Sequence, residues 1–147
     1  MAEELESFFQ RLADSFLGGD EVWLAAAYTY PLSIFAGSTI RIEHSSAALL
    51  TTLAKRRRDA ITFGASIIRS QIVDIKVVKS LNLDVHVHWN FVAETGRAIA
   101  QDRIRFLCRR TESNDFIIES VEFLVNGIAM LKKFHNDADN QSVRLKT

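Results

Sequence analysis

The sequence predicts an α+β domain in which three N-terminal helices pack on a strongly curved antiparallel sheet, forming a small cone with an internal pocket. Three observations carry that expectation. Amphipathic helical spacing is confined to the first part of the chain, long β-rich runs fill the stretch from Ala65 to about Val125, and ten Phe supply bulky apolar volume for a core or a cavity wall.

The first helix is read between Glu3 and Leu17, where Leu5, Phe8, Phe9, Leu12, Phe16 and Leu17 recur at three- and four-residue spacing among polar residues. Gly18 and Gly19 end it, Asp20 caps a second helix, and Val22, Trp23, Leu24, Ala26 and Ala27 continue the apolar pattern. Pro31 opens a β-rich run, Leu32 to Phe35, and Gly37-Ser38 turn the chain into a short strand, Thr39 to Glu43. Ser45 or Ser46 caps a third helix, which buries Leu49, Leu50, Leu53 and Ile61 and carries Lys55-Arg56-Arg57-Arg58 as a solvated face. Four strands follow, Ile67 to Lys79, Asp84 to Glu94, Arg97 to Arg109 and Phe116 to Val125. Long antiparallel strands twist and coil, so they hide their apolar face by curling around the helices. One domain over residues 1–135 is expected, with a frayed polar tail over 136–147.

Composition narrows the function classes. Charged residues make up 24% of the 147, and eighteen basic residues balance eighteen acidic ones. No long-range field draws nucleic acid or an anionic membrane to such a chain, and neither is expected as a partner. The single cysteine, Cys108, allows neither an internal disulfide nor a cysteine-rich zinc site, and on an apolar strand it reads as a small hydrophobe. The opening Met-Ala-Glu-Glu is acidic, and no apolar run approaches the ~20 residues that span a bilayer. A cytoplasmic protein is the expectation.

The hairpin at Thr95-Gly96 fixes which residues share a face, because a one-residue slip would mix polar with apolar. It sets Val87 opposite Ile104, Val85 opposite Phe106 and Phe91 opposite Ala100. On the other face His88 meets Arg103, His86 meets Arg105 and Asn90 meets Gln101. Asp102 alone breaks the sorting, falling on the apolar face opposite Trp89. Burial raises a carboxyl pKa, and a raised pKa suits general acid–base work near neutral pH, so Asp102 is the first catalytic candidate, the structural alternative being a place near the rim of the sheet or a pairing with an Arg or an amide. In the preceding hairpin, Val73, Ile75 and Val77 are expected inward, which carries Arg69 and Gln71 to the inner face, where Arg69 is positioned to hold an anion. Tyr28 and Tyr30, at the junction of helix and first strand, offer phenols to the pocket. Tyr30 is taken as the partner of Asp102. Tyr28, Phe35, Arg69, Trp89, Phe91 and Ile104 are taken as the pocket wall.

Other chemistry is sparse. His86 and His88 project together from one strand, but Arg103 and Arg105 beside them disfavour a divalent ion, so no metal is expected. A glycine-rich phosphate loop, a Gly-x-Ser-x-Gly elbow and a His-Glu-x-x-His pair are all absent from the sequence, and no cofactor is expected.

Phe9-Gln10-Arg11-Leu12-Ala13-Asp14-Ser15-Phe16-Leu17-Gly18-Gly19-Asp20, Tyr28-Thr29-Tyr30-Pro31-Leu32 and Arg103-Ile104-Arg105-Phe106-Leu107-Cys108-Arg109-Arg110 together resemble the first helix and Gly-Asp turn, the first strand and the penultimate strand of the nuclear transport factor 2-like superfamily, within it the SnoaL-like group. The resemblance runs over about residues 3 to 127. It implies a cystatin-like cone with a pocket, and often a homodimer across the outer sheet face. It implies pocket-carboxylate catalysis in the enzymes of the superfamily and binding or adaptor roles in others. In isomerase-like members the run after the first helices carries the general base, whereas Ser33-Ile34-Phe35-Ala36-Gly37 holds no carboxylate. The function expected is that of a SnoaL-like domain binding a small apolar organic molecule, with acid–base chemistry by Asp102 and a tyrosine on an apolar or polycyclic ligand. The alternative is a noncatalytic dimeric adaptor or regulatory domain whose pocket is vestigial.

Overall fold

The computed structural model describes residues 1–145, with side chains described as far as Ala138. Its elements run α1 (Ala2–Gly18), α2 (Glu21–Ala26), β1 (Tyr28–Ala36), β2 (Thr39–Glu43), α3 (Ser46–Thr62), β3 (Ala65–Lys79), β4 (Asn82–Ala93), β5 (Ala98–Arg110), β6 (Phe116–Val125) and α4 (Gly127–Leu145). No described helix is long and apolar enough to cross a membrane.

Local chemistry sets the helix ends. Gly19, at φ 72°, closes α1 in the left-handed region that glycine tolerates. The Asp20 carboxylate accepts the Trp23 amide at 3.2 Å, and the Ser45 hydroxyl accepts the Ala48 amide at 3.2 Å, so both expected caps form. The apolar stripe of α1 is buried from Leu5 to Phe16. On α3 the buried stripe follows Leu49, Leu53, Arg56 and Ala60. Ile61, expected inside, stands 45% exposed one position past that stripe.

The six strands form one curved, unclosed sheet in the order β2-β1-β6-β5-β4-β3. It is mixed rather than wholly antiparallel, because β1 and β6 pair in parallel. The physical reason is the connection. Strands joined by a hairpin must run antiparallel, but α3 and four strands separate β1 from β6, and so long a crossover permits either direction. At the opposite edge, the Gln10 amide on α1 bonds the Ile68 carbonyl at 2.8 Å and accepts the Ser70 amide at 2.9 Å, covering main-chain groups of edge strand β3.

The β4–β5 register pairs Trp89 with Asp102, Val87 with Ile104, Val85 with Phe106 and His88 with Arg103, as the sequence predicts. The β3–β4 register differs. A shift between Ile72 and Asp74 leaves Val73 unpaired, so inward positions run Ile68, Ser70 and Ile72 on one side of it and Ile75 and Val77 on the other. Arg69 and Gln71 therefore pair with Asn90 and His88 and face outward, contrary to expectation.

Helix α4 is the element that the sequence reading lacks. Ile128 is buried on it, and its first residue lies so close to β5 that a Cβ on Gly127 would meet the Gln101 carbonyl oxygen at 2.4 Å. The helix continues across the expected boundary at residue 135, and the last two residues of the expected tail lie outside the described ones.

Candidate functional site

Beneath α3 the curled sheet encloses a cavity of about 460 Å³. Its wall is built from inward positions of several strands. Leu32, Ile34 and Ala36 alternate along β1, Trp89 comes from β4, Ile104 and Phe106 from β5, and Val121 and Phe123 from β6. Phe16 closes it from α1, and α3 lays Leu49, Leu53 and Arg56 over the top. The Trp89 ring leans on Phe16 at 5.8 Å and on Phe106 at 6.2 Å between centroids, making a continuous aromatic floor. Its indole Nε1 is buried without a hydrogen bond.

Polar side chains share that lining, Thr51, Thr52, Lys55, Arg58 and Asp59 from α3 and Asn126 among them, and two others, Tyr28 and Arg56, stand against its aromatic part. Tyr28, 7% exposed, faces the cavity, and its hydroxyl makes no hydrogen bond among the described residues. Burial raises its phenol pKa, the Arg56 charge opposes that effect, and nearby Tyr30 adds to it, so the hydroxyl remains a proton donor at neutral pH. Arg56 reaches in from α3 with its guanidinium carbon 4.4 Å from the Phe123 ring centroid and 5.4 Å from that of Phe16. Its Nη2 donates to Asp102 Oδ2 at 2.6 Å.

Asp102 is where the hairpin register puts it, on the inner face and fully buried. It does not line the cavity. Oδ2 is taken by Arg56, and Oδ1 accepts the Gly127 amide at 2.8 Å. The carboxylate thus stands behind Arg56 and aims it, tying α3 and the start of α4 to β5. Tyr30 is also turned away from the cavity, donating its hydroxyl to the Ala25 carbonyl at 2.9 Å. The structure does not bring these two candidates together.

Of the expected wall, Tyr28, Trp89 and Ile104 line the cavity, and three residues do not. Phe91 is fully buried in the core beyond the cavity, paired with Ile68 and Ala100. Phe35 alternates with the inward Ile34 and pairs with Glu122 on the other face of the sheet. Arg69 is exposed because the Val73 bulge reverses its parity.

Arg56 is the cavity-lining charge that the sequence reading missed. Half of the expected solvated run is in fact engaged, because Arg57 also donates from Nε to the Leu17 carbonyl at 2.7 Å. The signal was present in the spacing: Arg56 falls three residues after Leu53 and four before Ala60, on the buried stripe.

The outer face carries a separate network. Arg105 grips Asp84 through two hydrogen bonds of 2.9 and 2.8 Å, with His86 3.6 Å from the same carboxylate and Glu122 3.6 Å from the guanidinium. Among the described residues no group of three or more acidic, His or Cys side chains could hold a metal ion. Burial pushes the Cys108 thiol up to about 12, with Glu119 and Asp84 adding to the effect, which leaves it protonated and unreactive.

No family model matches the sequence, and no curated protein matches it significantly. Solved structures do match in shape. A nuclear transport factor 2-like protein of unknown function from Shewanella oneidensis is 12% identical, with a TM-score of 0.63 over 83% of this chain and 97% of that one. A domain of unknown function with a cystatin-like fold from Nostoc punctiforme is 11% identical, with a TM-score of 0.65 over 98% and 93%. A ketosteroid isomerase-like protein from Erwinia carotovora atroseptica is 13% identical, with a TM-score of 0.54 over 84% and 98%. At such identities the likeness speaks to architecture and not to chemistry. Strand order, helical cover and these neighbours agree that the chain has the nuclear transport factor 2-like, cystatin-like fold.

Proposed function

We propose that this protein is a SnoaL-like small-molecule-binding domain whose cavity takes a largely apolar organic ligand. One observation carries the reading: a cavity of about 460 Å³, within the size range of small-molecule sites, remains between α3 and the sheet with an aromatic and aliphatic wall. An apolar ligand laid on that wall removes its surface from water and gains close contacts with the rings and aliphatic side chains.

The position of Asp102 favours binding over acid–base catalysis by that residue, since both of its oxygens are occupied and neither meets the cavity. Thermal denaturation against a panel of bicyclic and tricyclic hydrocarbons tests the reading. A binder present at ten times its Kd is expected to raise the melting temperature by about 4 °C. Ile34→Trp, which fills the cavity from the half-buried rim of β1, should remove that rise while leaving the protein folded. Absence of any rise across the panel would refute the proposal.

A further inference from the structure

The cavity holds more donors than an all-hydrocarbon ligand uses. Tyr28 is 7% exposed, and its protonated hydroxyl has no hydrogen-bond partner among the described residues. The Arg56 guanidinium carries five N–H donors, yet among the described residues it hydrogen-bonds to Asp102 alone, from Nη2. Its faces lie against Phe16 and Phe123 while the side chain keeps 18% exposure, so the in-plane N–H donors remain open to a ligand. Arg56 offers no acceptor and carries a positive charge, which repels a cation, and both side chains offer the donors an oxygen anion needs.

The charge around the opening points the same way. Glu43 pairs with Arg41, Asp102 with Arg56 and Asp59 with Lys132. Lys55 and Arg58 line the same cavity, are exposed, and have no acidic partner among the described residues. The acids near the cavity are thus matched, and two cations are left over to attract a negative group.

We propose that the ligand is an organic carboxylate: an apolar, ring-containing body lies on the Trp89 floor, and its carboxylate accepts from the Tyr28 hydroxyl and the free N–H groups of Arg56. This inference rests on the binding reading above and names the polar end of the ligand. Asp102 holds Arg56 through Nη2 alone, which leaves the other N–H groups to the ligand.

Isothermal titration of the full chain with 2-naphthoate, 2-methylnaphthalene and 2-naphthylmethylammonium separates the two ideas. These probes share one ring system and carry an anionic, a neutral and a cationic substituent at the same position. Naphthoate is expected to bind roughly tenfold or more tighter than methylnaphthalene, since hydrogen bonds to a charged group are worth more than neutral ones. The ammonium compound should bind more weakly than either. Tyr28→Phe keeps the ring and the fold and should cut naphthoate affinity by about tenfold while leaving methylnaphthalene unchanged. Equal binding of naphthoate and methylnaphthalene, or a Tyr28→Phe protein with the wild-type ratio, would overturn the carboxylate assignment and leave the apolar cavity standing. If none of the three binds, both proposals fall together.

Discussion

Replacing Asp102 by Ala would leave the Arg56 guanidinium among aromatic rings with no counter-charge. Removing one member of a buried ion pair costs about 3–5 kcal/mol, because the surviving charge keeps its desolvation penalty. Urea denaturation of Asp102→Ala should show a loss near the lower end of that range, about 3 kcal/mol, since the Arg56 side chain retains 18% exposure. Asp84 on the outer face gives a pH signature. The Arg105 hydrogen bonds hold its carboxyl below the ordinary value, burial opposes them, and the charges of Arg105, His86 and Lys76 lower it further. With a folded pKa below the unfolded one, the stabilisation is present above the unfolded pKa and disappears as pH falls through the folded value. Wild-type stability should therefore drop more steeply than that of Asp84→Asn below about pH 4, measured by denaturant unfolding at a series of pH values.

At the scale of elements, close approaches matter more than propensity. Gly127 begins α4 against the β5 backbone, and a methyl group there has no flexible side chain to displace, only the Gln101 main chain. Gly127→Ala should destabilise by about 2 kcal/mol, despite the better helix propensity of Ala, and calorimetric melting would show it. The same scale explains where sequence reading succeeds and stops. The β4–β5 register was legible because its two faces sort by polarity, and Trp89 and Asp102 follow from it. Arg69 was misplaced because a bulge at Val73 changes parity without any marker in the residues themselves. Helix α4 was not legible because it docks chiefly through Ile128 and half-buried Leu131, too few apolar positions to set a period. Arg56 could have been found, since its place on the Leu49–Leu53–Ala60 stripe was available, but a run of four basic residues reads first as a wetted surface.

For the molecule as a whole, the curl of the sheet turns an ordinary two-sided surface into a container. Its inner face supplies a floor of Trp89 and Phe106, while its outer face keeps the polar pairs of His86, His88, Arg103 and Arg105. That division was readable from alternation along the strands. The parallel β1–β6 seam was not, because strand direction across a long crossover leaves no local trace. The seam matters to the site: it sets Ile34 and Ala36 of β1 beside Val121 and Phe123 of β6, joining two parts of the wall.

One carboxylate grips both the helix over the opening and the first amide of the C-terminal helix. The two helices are therefore geared through a shared pivot. Any guest that drew Arg56 toward itself would slacken the hold on Asp102 and, through it, the seating of α4. By thermodynamic reciprocity, whatever steadies α4 must in turn alter the welcome a guest receives at the far end of the same linkage.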